Sequence, residues 1–340
     1  MLSFLKEKKL KKELELYNFD KEFDLKASEN YQIDSKETSP LLRNTYVFTA
    51  SSFEKKQTLY FKLTVTPLQT EAYIFVTDGF NKYVLDQQIY TSTCPLKIFK
   101  DEDDKWNVTF NNYLKKNNKD NAKFSFTSKF ECCEEAIDKR TYLTKELLLN
   151  SLKKEKNYKE KIEEIKNDTV VSYYQQGSLK GRMILEGQSS NFEFNCIKIH
   201  SYGEIDYTKI NNHADLTIFD KGLFLNLNLI SQKNIDIYEN GVYCENNNIQ
   251  YIKKAEYERQ MFTRGIAPSN LNILLKLQNT QDLSLHIKKI EEVDINLQEG
   301  EYKLIISVIE ILMEGKKYRG IMECGFNNQK DRWFNGQDIL

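Results

Sequence analysis

The chain has 340 residues, 49 Lys+Arg against 50 Asp+Glu, and a 40% hydrophobic share. This balance excludes the electrostatic grip on nucleic acid that a basic surface gives. The 20 Phe and 20 Tyr exclude disorder over the whole chain, and the scarcity of Gly and Pro excludes collagen-like or Pro-rich architectures.

The length suggests two domains. Residues 1–40 are charged and weakly patterned. Leu2, Leu5, Leu10 and Leu14 form a loose helical stripe, which reads as a solvated or packing arm rather than a membrane-surface helix. Charges from Lys6 onward interrupt any signal-peptide run. No stretch reaches the roughly 18–20 apolar residues of a spanning helix. A cytoplasmic location is expected; a transient membrane contact and a protein partner are left open.

From Asn44 the period becomes two. Leu59, Phe61, Leu63 and Val65 alternate with polar neighbours, as do Phe124, Phe126 and Phe130, so both runs read as strands with one apolar face. Further strands are expected at Glu71–Thr77, Lys82–Tyr90 and Lys105–Leu114. Residues 141–167 then place Leu143, Leu147, Leu148, Leu152, Tyr158, Ile162 and Ile165 at helical spacing among Lys and Glu. Strands resume near Val170, with Leu223 to Leu229 and Leu283 to Ile287 alternating. Tyr302–Met313 and Lys317–Gly325 form an expected hairpin around Glu314-Gly315.

The expected organisation is a charged arm over 1–40, a β-domain over 41–140, an amphipathic linker helix over 141–169 and a second β-domain over 170–340. The class is mainly all-β, and closed antiparallel barrels would leave no exposed strand edges. The six cysteines contain no Cys-x-x-Cys pair and read as free thiols, mostly buried. The widely spaced His200, His213 and His286, without paired cysteines, point away from zinc. No glycine-rich phosphate loop or nucleophile elbow is present. No cofactor is expected. Trp106 and Trp333 read as core or rim packing.

One segment concentrates chemistry. With strict alternation over Asn191–His200, Phe192, Phe194, Cys196, Lys198 and His200 share a face. If that face looks inward, a lysine and a histidine end an apolar wall, and Glu204 or Asp206 could supply the partner that buried charge requires. The candidate ligand-binding set is Phe192, Phe194, Lys198, His200, Tyr202, Glu204 and Asp206. A catalytic version would use His200 with Asp206 in proton transfer. The structural alternative has His200 bonded to Asp206 to hold a loop, with Lys198 reaching water.

Several stretches, in order, resemble a lipocalin-like double-barrel family that includes AttH-like proteins, carotenoid hydratases and sphingolipid-carrying survival factors. They are Asn44-Thr-Tyr-Val-Phe-Thr-Ala, Leu59-Tyr-Phe-Lys-Leu-Thr-Val-Thr-Pro, Trp106-Asn-Val-Thr-Phe-Asn-Asn-Tyr, Tyr173-Tyr-Gln-Gln-Gly-Ser-Leu-Lys-Gly and Arg319-Gly-Ile-Met-Glu-Cys-Gly. The family's Arg-Asp-His-Ser-Trp-Gly-x-Arg-Asp-Trp segment stands here as Lys198 to Tyr207. It keeps His200, Ser201, Gly203 and Asp206 and lacks the Asp before the His. The resemblance implies two tandem lipocalin-like barrels joined by the helix, and an apolar ligand. In the hydratase branch it implies acidic and His side chains acting on a polyene, of which the missing Asp removes one.

Three functions follow as expectations. The first is non-enzymatic binding or carrying of an apolar small molecule, a lipid or isoprenoid, in a barrel cavity. The second is a ligand-free interaction or scaffold module, its barrels filled by residues such as Phe61 and Phe124. The third is a hydratase or isomerase built on His200 and Asp206.

Overall fold

The computed structural model describes residues 2–15, 23–34, 36–102, 105–142, 145–152, 158–166, 170–232, 235–246, 248–258, 265–278, 282–297 and 302–327. Leu143, Trp333 and the side chains of Leu2, Leu5 and Leu147 lie outside them. Two helices, α1 (Leu2–Glu15) and α2 (Leu25–Glu29), precede the first sheet. Its strands are β1 (Leu42–Ser52), β2 (Gln57–Val65), β3 (Thr70–Thr77), β4 (Lys82–Val84), β5 (Ile89–Tyr90), β6 (Leu96–Lys100), β7 (Trp106–Lys116), β8 (Asp120–Cys132), β9 (Ile137–Asp138), β10 (Val171–Leu185) and β11 (Gln188–Glu204). The order β11-β1-β2-β3-β4-β7-β8-β10, with β10 pairing back onto β11, closes this sheet into a ring. The second sheet is a closed barrel of consecutive antiparallel strands. These are β12 (Ile210–Asp220), β13 (Leu223–Gln232), β14 (Ile235–Glu245), β15 (Asn248–Glu256), β16 (Asn270–Leu277), β17 (Leu283–Leu297), β18 (Tyr302–Met313) and β19 (Lys316–Asn327).

The mainly all-β class and the paired barrels agree with the sequence reading. The boundary does not. Residues 171–204 belong to the first barrel, because β10 pairs with β8 through Leu179↔Phe130 while β11 pairs with β1 through Phe48↔Lys198. Without this hairpin β8 and β1 would both be open edges. The division between barrels therefore falls after Glu204, at the short 3-10 turn Tyr207–Lys209. Likewise, 141–169 does not link two domains: its described residues include α3 (Lys145–Leu152) and α4 (Tyr158–Lys166), and the segment lies between two strands of the same barrel. Leu10 and Leu14 of α1 join Leu148, Leu152 and Ile162 in a buried cluster, so the apolar stripe of the arm serves a helical layer.

Glycine spacing explains part of the hairpin. Gly177 and Gly181 of β10 face the β8 backbone, where an added Cβ would sit 2.2 Å from the Glu131 oxygen and 2.1 Å from the Thr127 oxygen. The expected closing hairpin forms, with Glu314 at φ 50° and Gly315 at φ +78° supplying its turn.

Alternation placed the inward faces correctly; the other face varies. On β8, Phe124, Phe126 and Phe130 are buried while Lys123, Thr127 and Lys129 are exposed. On β2 both faces are buried, because Tyr60 packs with Tyr73 and Phe75 against Ile295, Tyr302 and Ile306 of the second barrel. Tyr60 also donates to Glu323 Oε1 at 3.0 Å. The barrels are thus joined by a core of their own. Among the described residues no helix is long and apolar enough to cross a membrane.

Candidate site at the arm-covered end of the first barrel

The inward face of β11 carries Phe192, Phe194 and Cys196 into the first barrel's core, as the alternation requires. Lys198 and His200 continue it, each 0% exposed. Register sets Lys198 opposite Phe48 of β1 and Gln175 of β10, and His200 opposite Tyr46 and Tyr173. Trp106 of β7 and Lys100 of β6 complete this end of the barrel. Lys198 Nζ lies 4.5 Å from the Trp106 ring centroid and 5.1 Å from that of Tyr173, within cation–π range of both.

The partner of Lys198 is neither Glu204 nor Asp206. It is Glu29, on the short helix α2 of the N-terminal arm. Asp24 caps that helix, accepting from the Ala27 N–H at 3.0 Å. Glu29 Oε1 is 2.7 Å from Lys198 Nζ and accepts from Trp106 Nε1 at 3.2 Å, while Oε2 is 2.8 Å from Lys100 Nζ. Lys198 also donates to Gln175 Oε1. Burial works against the Glu29 charge, but Lys198 and the bonds from Lys100 and Trp106 hold its carboxyl below the ordinary range. Burial lowers Lys198 to about 8 although Glu29 opposes the shift. Both groups are charged at neutral pH.

His200 uses both ring nitrogens, Nε2 with Asn44 Oδ1 at 2.7 Å and Nδ1 with Tyr173 Oη at 3.1 Å. Its ring stacks on Tyr46 at 4.2 Å. Burial, and then the Lys198 charge, lower its pKa to about 3, so the imidazole is neutral. Asp206 is engaged elsewhere, accepting from the Thr208 N–H at 3.0 Å and the Thr208 hydroxyl at 2.6 Å as the cap of the 3-10 turn. The expected His200–Asp206 pair is therefore not formed, whether as a loop knot or as a proton relay, and Lys198 is sealed from water rather than reaching it. Glu204 is exposed and accepts from Ser39. Tyr202 is half-buried, stacked on Tyr31 at 4.0 Å with its hydroxyl 3.2 Å from Ser28 Oγ. Of the seven candidates, the structure gathers Phe192, Phe194, Lys198 and His200 on one inward face, with Tyr202 at its rim. It leaves Glu204 and Asp206 outside.

The arm covers this end. Phe23 sits 5.4 Å from Tyr173, Asn44 Nδ2 donates to the Tyr31 carbonyl at 3.1 Å, and Glu29 reaches the cations. Sequence reasoning missed Glu29, Asn44, Lys100 and Gln175, and gave Trp106 to packing. Strand parity could have found Asn44 and Gln175, which share faces with Tyr46 and Tyr173; nothing local marks Glu29.

Below the site the barrel is filled. Phe48, Phe61 and Phe124 are 0% exposed and Phe126 1%. Phe126 packs against Phe61 at 4.6 Å and Phe192 at 5.1 Å. A ligand-sized void would leave accessible surface on the side chains lining it, so the hollow interior expected of a carrier is not what these rings form. Among the described residues of the second barrel, Ile218, Leu225, Leu285 and Phe326 are likewise 0% exposed. The other thiols divide, with Cys196, Cys244 and Cys324 buried and Cys132 and Cys133 exposed. His213 bonds Tyr302, and His286 lies exposed against Asn272.

No family model matches the chain, and no curated protein matches it in sequence. Solved structures do match. An AttH-like protein from Nitrosomonas europaea superposes with a TM-score of 0.56 at 9% identity, over 83% of this chain and 92% of its own. Kievitone hydratase from Nectria haematococca gives 0.53 at 8% identity, over 91% and 96%. CghA gives 0.50 at 6% identity, over 86% and 89%. At such identities the likeness establishes the fold, a lipocalin-like double barrel, in agreement with the resemblance read from the sequence.

Proposed function

We propose that the chain binds an apolar small molecule at the arm-covered end of the first barrel, without chemistry on it. The observation that carries this reading is Lys198: a fully buried ammonium closing a phenylalanine wall, whose charged partner comes from a separate segment lying over the opening. A buried ionisable group is costly, and a protein that needed only a core would do better with an apolar side chain there. The rings of Tyr173 and Tyr202, which Phe23 and Tyr31 of the arm pack against, offer the apolar contact, and Lys198, Gln175 and Asn44 the polar points that orient a head group. Room comes from displacement of the arm, not from a standing cavity. The neutral, doubly engaged His200 orients rather than transfers protons.

A second reading is favoured by the phenylalanine packing within the first barrel: an interaction module without a ligand. Uptake of a fluorescent fatty acid, followed by quenching of tryptophan and by native mass spectrometry, separates the two. The binding reading expects saturable uptake of one molecule per chain, reduced by Tyr173→Ala. No uptake at any concentration below micelle formation removes it and leaves the interaction module.

A further inference from the structure

Around Glu29 every donor belongs to the barrel and the acceptor alone belongs to the arm. Lys198 comes from β11, Lys100 from β6 and Trp106 from β7; their Nζ, Nζ and Nε1 atoms approach one carboxylate at 2.7, 2.8 and 3.2 Å. A permanent structural ion pair needs no such division. In the second barrel, Lys289 pairs with Glu292 of its own strand at 2.7 Å. The arm also lays Phe23 against Tyr173 and Tyr31 against Tyr202. It therefore presents aromatic surface together with an acid, the two parts of an amphiphile. We propose that Lys198, Lys100 and Trp106 form a carboxylate-recognition site for an apolar organic acid, and that Glu29 occupies this site in cis until such an acid displaces it.

The inference rests on the binding reading above and adds the ligand's charge. Its selectivity follows from desolvation. If the arm lifts and a neutral molecule takes its place, Lys198 keeps the Gln175 amide and the ring faces of Trp106 and Tyr173 but has lost the Glu29 carboxylate. An acid restores the pairing; an alcohol of the same length does not. Competition by the arm also sets the apparent affinity, which is the intrinsic one reduced by the fraction of molecules with the site free.

Calorimetric titration of the full chain with dodecanoate and with dodecanol, below micelle formation, tests this. The expected results are that wild type prefers the acid, that Glu29→Gln, by freeing the site, tightens dodecanoate and dodecanol by the same factor of about 10-fold or more and so keeps the preference, and that Lys198→Met abolishes the preference for acid. Far-UV circular dichroism and melting confirm folding, and Glu29→Asp, with its shorter reach, serves as the second variant should Glu29→Gln not fold. Equal binding of acid and alcohol, or an unchanged dodecanoate affinity in the folded Glu29 variants, overturns the carboxylate site while leaving apolar binding intact. Binding of neither compound to wild type or variant overturns the binding reading and this inference with it.

Discussion

The first barrel is filled with phenylalanine and ends in a buried lysine and histidine; the second is filled mainly with leucine and isoleucine, and its end lysine, Lys289, keeps 15% of its side chain exposed beside Glu292. Among the described residues, each interior holds its own cluster of buried apolar side chains. The difference is what each does with a cation at its end. The second barrel answers its lysine locally and leaves it near water, which costs little. The first seals its lysine completely and takes the answering carboxylate from a segment outside the sheet, so that closure of the site and neutralisation of its charge are one event. Stability alone explains the second arrangement and not the first.

The comparison can be broken most forcefully at the two fillings. Phe126→Ala and Leu225→Ala should each cost about 3–5 kcal/mol of unfolding free energy in urea, since both side chains are sealed within their barrels. A loss below about 1 kcal/mol at either position would mean that its barrel has slack. The next largest effect concerns acid. Burial holds His200 neutral down to about 3 in the fold, whereas an unfolded imidazole protonates near 6.5. Between those values the unfolded chain binds the extra proton, so stability is lost as the pH falls below 6.5, by about 2 kcal/mol from this group at pH 5. His213, lowered to about 4 by burial, adds to the same slope. His200→Asn should flatten the dependence of unfolding free energy on pH between 6.5 and 5; an unchanged slope would place the protonation elsewhere.

A smaller effect sharpens the contrast between the two lysines. Replacing the buried pair with Lys198→Met and Glu29→Gln together should leave the first barrel as stable as before, or more stable by about 1–3 kcal/mol. Lys289→Met, at a site still in touch with water, should change stability by less than about 1 kcal/mol. A large loss in the double variant, measured by chemical denaturation, would make the Lys198 cluster a structural necessity. Glu29→Gln alone leaves the Lys198 ammonium without its counter-charge and should cost about 1.4 kcal/mol or more, the equivalent of a tenfold release of the arm, while raising proteolytic cleavage within residues 23–34.

Much of this fold is legible because period-two patterns report burial directly: the inward faces of β2, β8, β11 and β13, the closing hairpin around Gly315, and the placing of Lys198 and His200 on one inward wall all follow from alternation. What alternation cannot supply is pairing between distant strands. Nothing in residues 171–204 marks them as neighbours of β1 and β8 rather than the opening of a second domain, so alternation alone sets the boundary too early. The same blindness hid the site's partner. Asp206, near in sequence, was the natural counterpart for His200, yet a local cap engages it, while Glu29 arrives from an arm whose charge looked merely solvating.

Hydrogen exchange across residues 23–34, with and without a saturating concentration of dodecanoate, tests the central claim most directly. The account predicts that the acid, in binding, releases the arm, so amides of this segment exchange faster while those of β10 and β11 beside Lys198 slow. Exchange of the arm that is unchanged or slower in the saturated complex would contradict it.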